Sequence, residues 1–336
     1  MKQNSKMTLS KCLKRLRFVA AATLMCVAQA VISQNNSAAE YDTPQKGEGL
    51  DAFLLRNGRN LNEHKEDFIK LNSNRFGANG VLLLGVRYRL PLKVEQVTMP
   101  IFGADSVVTV QDHALRGATY YLVSGHGGPD PGAIGEMNGH KLHEDEYAYD
   151  IMLRLARNVV AHGGKVHIII QDPDDGIRSE EYLPCDSHET CMGEPIPLGQ
   201  LDRLKQRSQA INKLYATERK GYCRSIFMHV DSRSQNKKID IFFYHYMKSK
   251  YGERLARVLH SVLDAKYREH QPSRGFEGTV SERDLYVLKA TNPPAVFLEL
   301  GNIQNWRDQK RFILESNRQA IANWLTEGLI TDYENN

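Results

Sequence analysis

Apolar runs and helix-like repeats alternate along the chain from residue 118 onward. Five short apolar segments have the length of buried β-strands: 118–123, 165–170, 224–229, 239–244 and 296–300. The clearest intervening helix ends at Gly163 and carries five apolar residues on one face: Ala148, Ile151, Met152, Leu155 and Val159. This alternation predicts an α/β fold over 117–332, with helices on both faces of a sheet.

The residues before 117 predict a small separate domain. Residues 50–54 place apolar side chains on one helical face, 68–71 indicate a second short helix, and 86–90 alternate as a strand. We interpret three consecutive segments as a flexible polar leader, the small domain and an extended linker: 35–45, 46–92 and 93–116.

Residues 1–34 carry six basic side chains and no acidic one: Lys2, Lys6, Lys11, Lys14, Arg15 and Arg17. An apolar run over 18–32 and a small-x-small sequence at 28–30 complete the pattern of a secretory signal peptide. The run is short for a membrane-spanning helix, although an uncleaved amino-terminal anchor is the alternative. We therefore expect export to the periplasm or cell envelope.

Charge and cysteine content change once this segment is set aside. The chain has 44 basic and 40 acidic residues, and 38 basic residues remain without the six above, so no nucleic-acid partner is predicted. Export permits a disulfide between Cys185 and Cys191, whereas Cys223 begins an apolar run and is expected to be a buried thiol. No C-x-x-C pair occurs, so a structural zinc site built on cysteine is not expected.

A glycine-dense loop, 124–135, follows the predicted strand 118–123. Ligands of open α/β sheets bind at the carboxyl ends of the strands, where this loop must lie. It does not match a phosphate loop, because Asp130 stands where a G-x-G-x-x-G pattern counted from Gly125 requires glycine. It presents His126 among glycines that permit close approach to the backbone.

Three further polar residues stand at comparable positions. His229 closes the strand 224–228, Glu299 lies inside the apolar run 295–300, and Glu144 opens the long helix. A carboxylate among apolar residues is costly unless it is paired, bound to a metal or used as a base. Two imidazoles and one carboxylate, with a position open for water and a second carboxylate nearby, have the composition of a catalytic zinc site.

From about 118 to 329 the sequence resembles the zinc-dependent N-acetylmuramoyl-L-alanine amidases. The resemblance rests on Gly-His-Gly-Gly at 125–128, on a glutamate that opens a long helix, on a histidine after a strand, and on Pro-Ala-Val-Phe-Leu-Glu-Leu-Gly-Asn at 294–302. It implies a twisted mixed sheet, Zn²⁺ as cofactor, His126, Glu144 and His229 as ligands and Glu299 as general base. Glu146 is the fallback for the acidic ligand.

The same resemblance adds substrate contacts and two departures. Asp130 and, in the helix 201–214, Arg207 and Asn212 match its motifs, and we expect them to contact substrate. Val123 stands where the family usually has an acidic residue, and Val230-Asp231 replaces Ala-Asn. The hydrogen bonds around the ligands are therefore expected to differ.

The small domain resembles a LysM module, a βααβ fold that binds glycans containing N-acetylglucosamine. The matching segments are 46–50, 68–72 and 84–91, although Pro44 interrupts the first strand and the loop 73–83 is long. A small packing domain without glycan affinity is the alternative.

Together these features predict a secreted peptidoglycan hydrolase that cuts between N-acetylmuramic acid and L-alanine. We expect a monomer whose partner is peptidoglycan, and the sequence leaves open whether an activator protein is also needed. Alternatives are a zinc peptidase or carboxypeptidase acting on stem peptides, and a wall-binding module without activity. The segment 176–199 is either a lid over the catalytic edge or an inert surface excursion.

Overall fold

The computed structural model describes residues 40–93, 95–218 and 221–336 of the 336-residue chain. The chain divides into two units, residues 1–93 and 94–336. The signal peptide predicted over 1–34 lies outside the described residues. Within the described ranges, none of the helices is both long enough and apolar enough to cross a membrane.

The first unit has the predicted order of two helices between two strands: β1 (Tyr41–Asp42), α1 (Leu50–Arg56), α2 (Leu61–Leu71) and β2 (Tyr88–Arg89). The two strands pair antiparallel. Phe53, Phe68 and Tyr88 are fully buried, and their rings pack against one another at tilted or edge-on angles in its core. The Asn72 amide exchanges two hydrogen bonds of 2.8 Å with the Arg89 backbone, which ties the end of α2 to β2.

Strand β1 lies in the segment interpreted as a flexible leader, 35–45, and that interpretation is wrong for Tyr41–Asp42. Arg56 explains the order at this point, because its guanidinium donates to Asp42 at 2.7 Å and to Glu48 at 2.6 Å. The polar composition that indicated a leader here reflects paired charges.

The second unit contains most of the strands, several of them short. They are β3 (Gln96–Thr98), β4 (Val107–Thr109), β5 (Ala118–Ser124), β6 (Ile134–Met137), β7 (His140–His143), β8 (Lys165–Ile168), β9 (Ile170–Gln171), β10 (Thr190–Cys191), β11 (Glu194–Pro195), β12 (Tyr222–Asp231), β13 (Phe242–His245), β14 (Thr279–Glu282) and β15 (Ala295–Asn302). Its α-helices are α3 (Glu144–Ala161), α4 (Gln200–Glu218), α5 (Lys250–His270), α6 (Tyr286–Ala290), α7 (Trp306–Ile313) and α8 (Glu315–Glu334).

Six of these strands form one mixed sheet in the order β14-β13-β15-β12-β5-β8. All neighbours are parallel except β13 and β15, which are antiparallel. Strands β5, β12 and β15 therefore end at the same edge. Their register pairs His229 with Glu299 across β12 and β15.

Alternate residues of the sheet enter two separate cores. Tyr120 and Leu122 of β5 pack in the core under helices α3, α5 and α8, whereas Tyr121 and Val123 pack in the core under α4 and α6. The period of two along a strand sends neighbouring side chains to opposite faces. The predicted α/β architecture, a mixed sheet with helices on both faces, is confirmed.

The segment interpreted as a linker, 93–116, belongs to the second unit except for Lys93. Strands β3 and β4 form an antiparallel hairpin there, joined by a 3₁₀ segment over Pro100–Asp105. Phe102 and Val108 are fully buried in the same core as α3. Because these two side chains belong to the core of the second unit, the segment is part of that unit's fold and is not a linker.

Two predicted strands differ from the observed ones because other groups satisfy their backbones. The strand predicted over 239–244 begins only at Phe242, since the Ile239 N–H donates to Asp308 at 2.8 Å and its carbonyl accepts from Arg311 at 2.9 Å. The strand predicted over 165–170 divides after Ile168, and Ile170–Gln171 joins a small sheet with β10 and β11.

The segment 176–199 packs on the unit through that small sheet. Leu183, Cys191 and Ile196 are buried. Cys185 and Cys191 are free thiols, exposed and buried respectively, so the possible disulfide between them is absent from the described residues. Cys223 is buried, as predicted.

Candidate active site

The carboxyl ends of three adjacent strands bring the predicted residues together. His126 follows β5, His229 lies in β12, and Glu299 lies opposite His229 in β15. Glu144 is the first residue of α3, where the helix begins directly after the β6–β7 hairpin. Segments far apart in sequence therefore meet at one edge of the sheet.

Two glycines leave the space that allows the histidine and glutamate side chains to lie so close to the backbone. A Cβ added at Gly125 would overlap the His229 ring. A Cβ at Gly132, whose φ is +70°, would lie 2.7 Å from Glu144 Oε2 and 2.8 Å from the His126 ring. His126 itself has a φ of +56°, a left-handed conformation that costs energy outside glycine and that clusters at functional sites.

The donor atoms of His126, Glu144 and His229 all lie within 4.8 Å of one another. Glu144 Oε1 is 3.2 Å from His126 Nε2 and 2.9 Å from His229 Nδ1. With zinc–ligand bonds of 2.0–2.2 Å, two ligands of a tetrahedral ion lie about 3.4 Å apart. Two imidazole nitrogens and one carboxylate oxygen at these separations fit a zinc ion in chemistry and in spacing.

Hydrogen bonds hold the three side chains in place. Asp130 Oδ2 accepts from His126 Nδ1 at 2.8 Å, which leaves His126 Nε2 turned toward Glu144. Glu144 Oε2 accepts from the Ala133 N–H at 2.8 Å and Oε1 from the Val230 N–H at 3.0 Å. An oriented histidine with a carboxylate behind it is the usual support of a metal-binding imidazole.

Neighbouring histidines and an arginine keep the carboxylates of Asp130 and Glu144 ionised. His126, with Arg203, lowers the pKa of Asp130 to about 2. Burial alone would raise the pKa of Glu144, but hydrogen bonds and charge from His126 and His229 hold it well below its ordinary value. Burial lowers the pKa of His229, which favours the neutral imidazole that a metal requires.

Glu299 is distinguished from the other site residues by an unsatisfied oxygen. Its Oε2 is buried and has no hydrogen-bond partner in the described structure. Burial first, and then the negative charges of Glu144 and Asp231, raise the pKa of Glu299 well above its ordinary value. Asp231 stands at one of the positions where the sequence departs from its resemblance, so that departure adds charge next to Glu299.

Of the predicted substrate contacts on α4, Arg207 lies next to the candidate zinc ligands and Asn212 does not. Arg207 donates to the His126 carbonyl and lines a cleft of about 210 Å³ with His126, His229 and Asp130. Asn212 lies outside the residues that line this cleft. Its amide donates to the Ala290 carbonyl at 2.8 Å and accepts from the Asn292 N–H at 2.7 Å, so the expected substrate contact of Asn212 is not supported.

The cleft also contains a charged residue that was not predicted from the sequence, Arg203. Arg203 donates to Asp130 at 2.6 Å and lines the same cleft. It precedes Arg207 by four residues on α4, so the helical spacing that places both on one face was the available signal. The fallback ligand Glu146 points elsewhere and pairs with Arg178 at 2.9 Å.

Most of the second unit matches a known protein family. Residues 121–331 match the Amidase_3 family, N-acetylmuramoyl-L-alanine amidase. No curated protein matches the chain significantly.

Similar solved structures include the CwlD amidase from Clostridioides difficile in complex with the GerS lipoprotein, with 20% identity over 65% of this chain and 99% of that chain and a TM-score of 0.49. The amidase AmiC2 of Nostoc punctiforme has 19% identity over 66% of this chain and 99% of that chain, with a TM-score of 0.46. The catalytic domain of CwlV from Bacillus (Paenibacillus) polymyxa var. colistinus has 20% identity over 65% and 98%, with a TM-score of 0.46.

Proposed function

Because the chain belongs to the Amidase_3 family of N-acetylmuramoyl-L-alanine amidases, we propose that it is an exported, zinc-dependent hydrolase. Its substrate would be the amide bond between N-acetylmuramic acid and the L-alanine of the peptidoglycan stem. The observation that carries this proposal is the set of three donors within 4.8 Å, with Glu299 paired to His229 on the next strand.

The zinc ion would be held by His126, Glu144 and His229. When bound, it supplies a Lewis acid that polarises the scissile carbonyl and acidifies water. Asp130 keeps His126 in the tautomer that presents Nε2. Phe297 stacks on the His229 ring at 4.3 Å between centroids and restricts its rotation.

Glu299 would act as general base and then as general acid. As base it takes the proton of the attacking water, and as acid it gives that proton to the departing L-alanine nitrogen. Burial raises the pKa of the Glu299 carboxyl, which makes its carboxylate a stronger base than that of an exposed glutamate. Its unpartnered Oε2 leaves an acceptor free for that proton.

The cleft would admit only the scissile part of the polymer, because its volume of about 210 Å³ is below that of most small-molecule pockets. Arg203 and Arg207 on its wall offer positive charge to carboxylates of the stem peptide. The first unit would act as a LysM-like wall-binding module that raises the local concentration of substrate.

Mass spectrometry of digested peptidoglycan tests the reaction. Purified peptidoglycan treated with the chain should yield free L-alanine amino termini and intact lactyl ends, and a chelator should abolish both. Glu299→Gln should lower the rate by about 10²–10⁴-fold. Glu282→Gln, an exposed glutamate on the neighbouring part of the sheet, is the matched control and should act as wild type.

Two outcomes would contradict the proposal. Stem peptides trimmed at internal bonds would indicate a peptidase or carboxypeptidase. A Glu299→Gln rate close to wild type would show that Glu299 is not the general base.

Glycan binding by the first unit has its own test. N-acetylglucosamine oligomers should release the Glu299→Gln chain from insoluble peptidoglycan, and unchanged sedimentation would reject glycan binding.

A further inference from the structure

A second group of carboxylates is buried beside the candidate zinc site. Asp145 and Glu146 follow Glu144 in the first turn of α3, and Glu189 directly precedes β10. Only 2%, 2% and 6% of their respective surfaces are exposed. Carboxylates are almost never buried to this degree unless they are paired or bound to a metal.

These carboxylates have the spacing of cation ligands. Their donor oxygens all lie within 4.8 Å of one another, and donor oxygens of Asp172, Asp186 and Glu189 meet the same limit. A calcium–oxygen bond is about 2.4 Å long, so two oxygens on opposite sides of one ion lie about 4.8 Å apart. A single ion can therefore reach all of Asp145, Glu146 and Glu189.

The protein supplies too little positive charge to this group. In the part of the chain that the structure describes, Arg178 is the basic residue that forms an ion pair with this group. It lies 2.9 Å from Glu146 and also pairs with Asp175. Neither Asp145 nor Glu189 has an ion-pair partner in the described structure. The cluster therefore carries excess negative charge in a buried place.

One carboxylate oxygen of the group has no hydrogen-bond partner in the described structure. Asp145 Oδ1 accepts from the Glu146 N–H at 2.9 Å, but Asp145 Oδ2 is buried without any hydrogen-bond partner. By contrast, both oxygens of Glu146 have partners, Arg178 and, at 3.3 Å, the Asp186 N–H. An unpaired, buried oxygen in a group of three carboxylates is the feature that a bound cation would resolve.

We propose that Asp145, Glu146 and Glu189 bind a Ca²⁺ ion, with Asp172 and Asp186 of the adjoining loop as further oxygen ligands. An all-oxygen donor set favours hard cations over zinc. Ca²⁺ accepts six to eight oxygens in flexible geometry, whereas Mg²⁺ demands a near-ideal octahedron and keeps several waters. Five carboxylates contributed by a helix start and a loop match Ca²⁺ better.

The ion would connect the 172–190 loop to the catalytic edge. Glu189 Oε2 accepts from the Gly128 N–H at 2.7 Å, and Gly128 lies two residues after His126. Asp145 and Glu146 directly follow Glu144. A cation at this site thus fixes the loop and supports both segments that carry candidate zinc ligands, which is a stabilising role independent of the proposed amidase reaction.

Calorimetry and thermal unfolding test the site in the full chain. Chelator-treated protein first receives one equivalent of Zn²⁺, which the nitrogen-containing site takes in preference to Ca²⁺. Ca²⁺ should then bind one per chain and, at about a hundred times its Kd, raise Tm by about 5–10 °C. Tb³⁺ in place of Ca²⁺ should show tyrosine-sensitised emission, because the Tyr149 hydroxyl lies 2.9 Å from the Asp172 nitrogen.

Variants locate the ion. Asp145→Asn and Glu189→Gln remove buried negative charge, so they should fold without Ca²⁺, but their Ca²⁺-dependent rise in Tm should be lost. Glu181→Gln, an exposed position on the same segment, should keep the full rise.

Three results would overturn the proposal. The first is the absence of stoichiometric Ca²⁺ binding and of any Tm change in the wild-type chain. The second is retention of both by Asp145→Asn and Glu189→Gln. The third is uptake of a second Zn²⁺ in place of Ca²⁺, lost in Cys185→Ser, since His143, Asp145 and Cys185 also have donor atoms within 4.8 Å. None of these readouts depends on amidase activity.

Discussion

Asp130 offers a sharp test of how the candidate zinc site is supported. It accepts from His126 Nδ1 at 2.8 Å and from Arg203 Nη2 at 2.6 Å, both on the same oxygen. With its pKa lowered to about 2, the side chain is ionised at every pH at which the protein would work. Both bonds are therefore charge-assisted, and such bonds are about twice as strong as neutral ones.

Asp130→Asn keeps the size of the side chain and removes the charge. The amide oxygen can still accept from both donors, but without the negative charge it holds each of them less strongly, so His126 loses part of its orientation. Changes of this kind typically cost 10–100-fold in metal affinity. We therefore expect zinc affinity to fall by that factor, which corresponds to about 1.4–2.8 kcal/mol of binding free energy.

Competition with a fluorescent zinc chelator measures this affinity directly. Asp202→Asn is the matched control, because Asp202 lies on the same helix as Arg203, is exposed, and pairs only with Lys205 among described residues. A zinc affinity of Asp130→Asn within threefold of wild type would refute the reasoning. A parallel loss in Asp202→Asn would show that the effect is one of general charge.

The remaining predictions concern packing, stability and thiol reactivity. Gly125→Ala should displace the His229 ring and lower bound zinc below one per chain, and full zinc content would contradict this. Asp150→Ala leaves two buried arginines without their carboxylate and should cost about 3–5 kcal/mol, or about 6–20 °C in Tm, whereas loss of the exposed Glu253 should leave Tm close to that of the wild type. Cys185 is exposed as a residue, but partial desolvation of its thiol together with nearby carboxylates raises its pKa to about 12. In Ca²⁺-free buffer its alkylation at pH 8 should therefore be about a thousandfold slower than that of a free thiol. The rate should still rise about tenfold per pH unit up to pH 10, and a plateau near pH 9 would contradict this, with Cys185→Ser as the blank.

The amidase family match and the α/β architecture were both accessible from the sequence. The apolar runs identified β5, β12 and β15 because fully buried strands read as continuous hydrophobic segments. A polar residue at the end of such a run, such as His126 or His229, stands out for the same reason. Shorter segments were harder to assign: β1 was interpreted as part of a flexible leader, and the β3–β4 hairpin was interpreted as extended but as a linker.

Local pattern by itself identified the long buried strands β5, β12 and β15, the residue types at their ends, and one carboxylate, Glu299, inside an apolar run, because burial and period leave a mark on neighbouring positions. Only the tertiary structure determined which of Glu144 and Glu146 faces the two histidines. The same is true of the hydrogen bonds that Asn212 forms with a loop outside the cleft, and of the closeness of Glu189 to Asp145. Those relations depend on the direction of each side chain after segments distant in sequence have packed, and neighbouring positions carry no record of that direction.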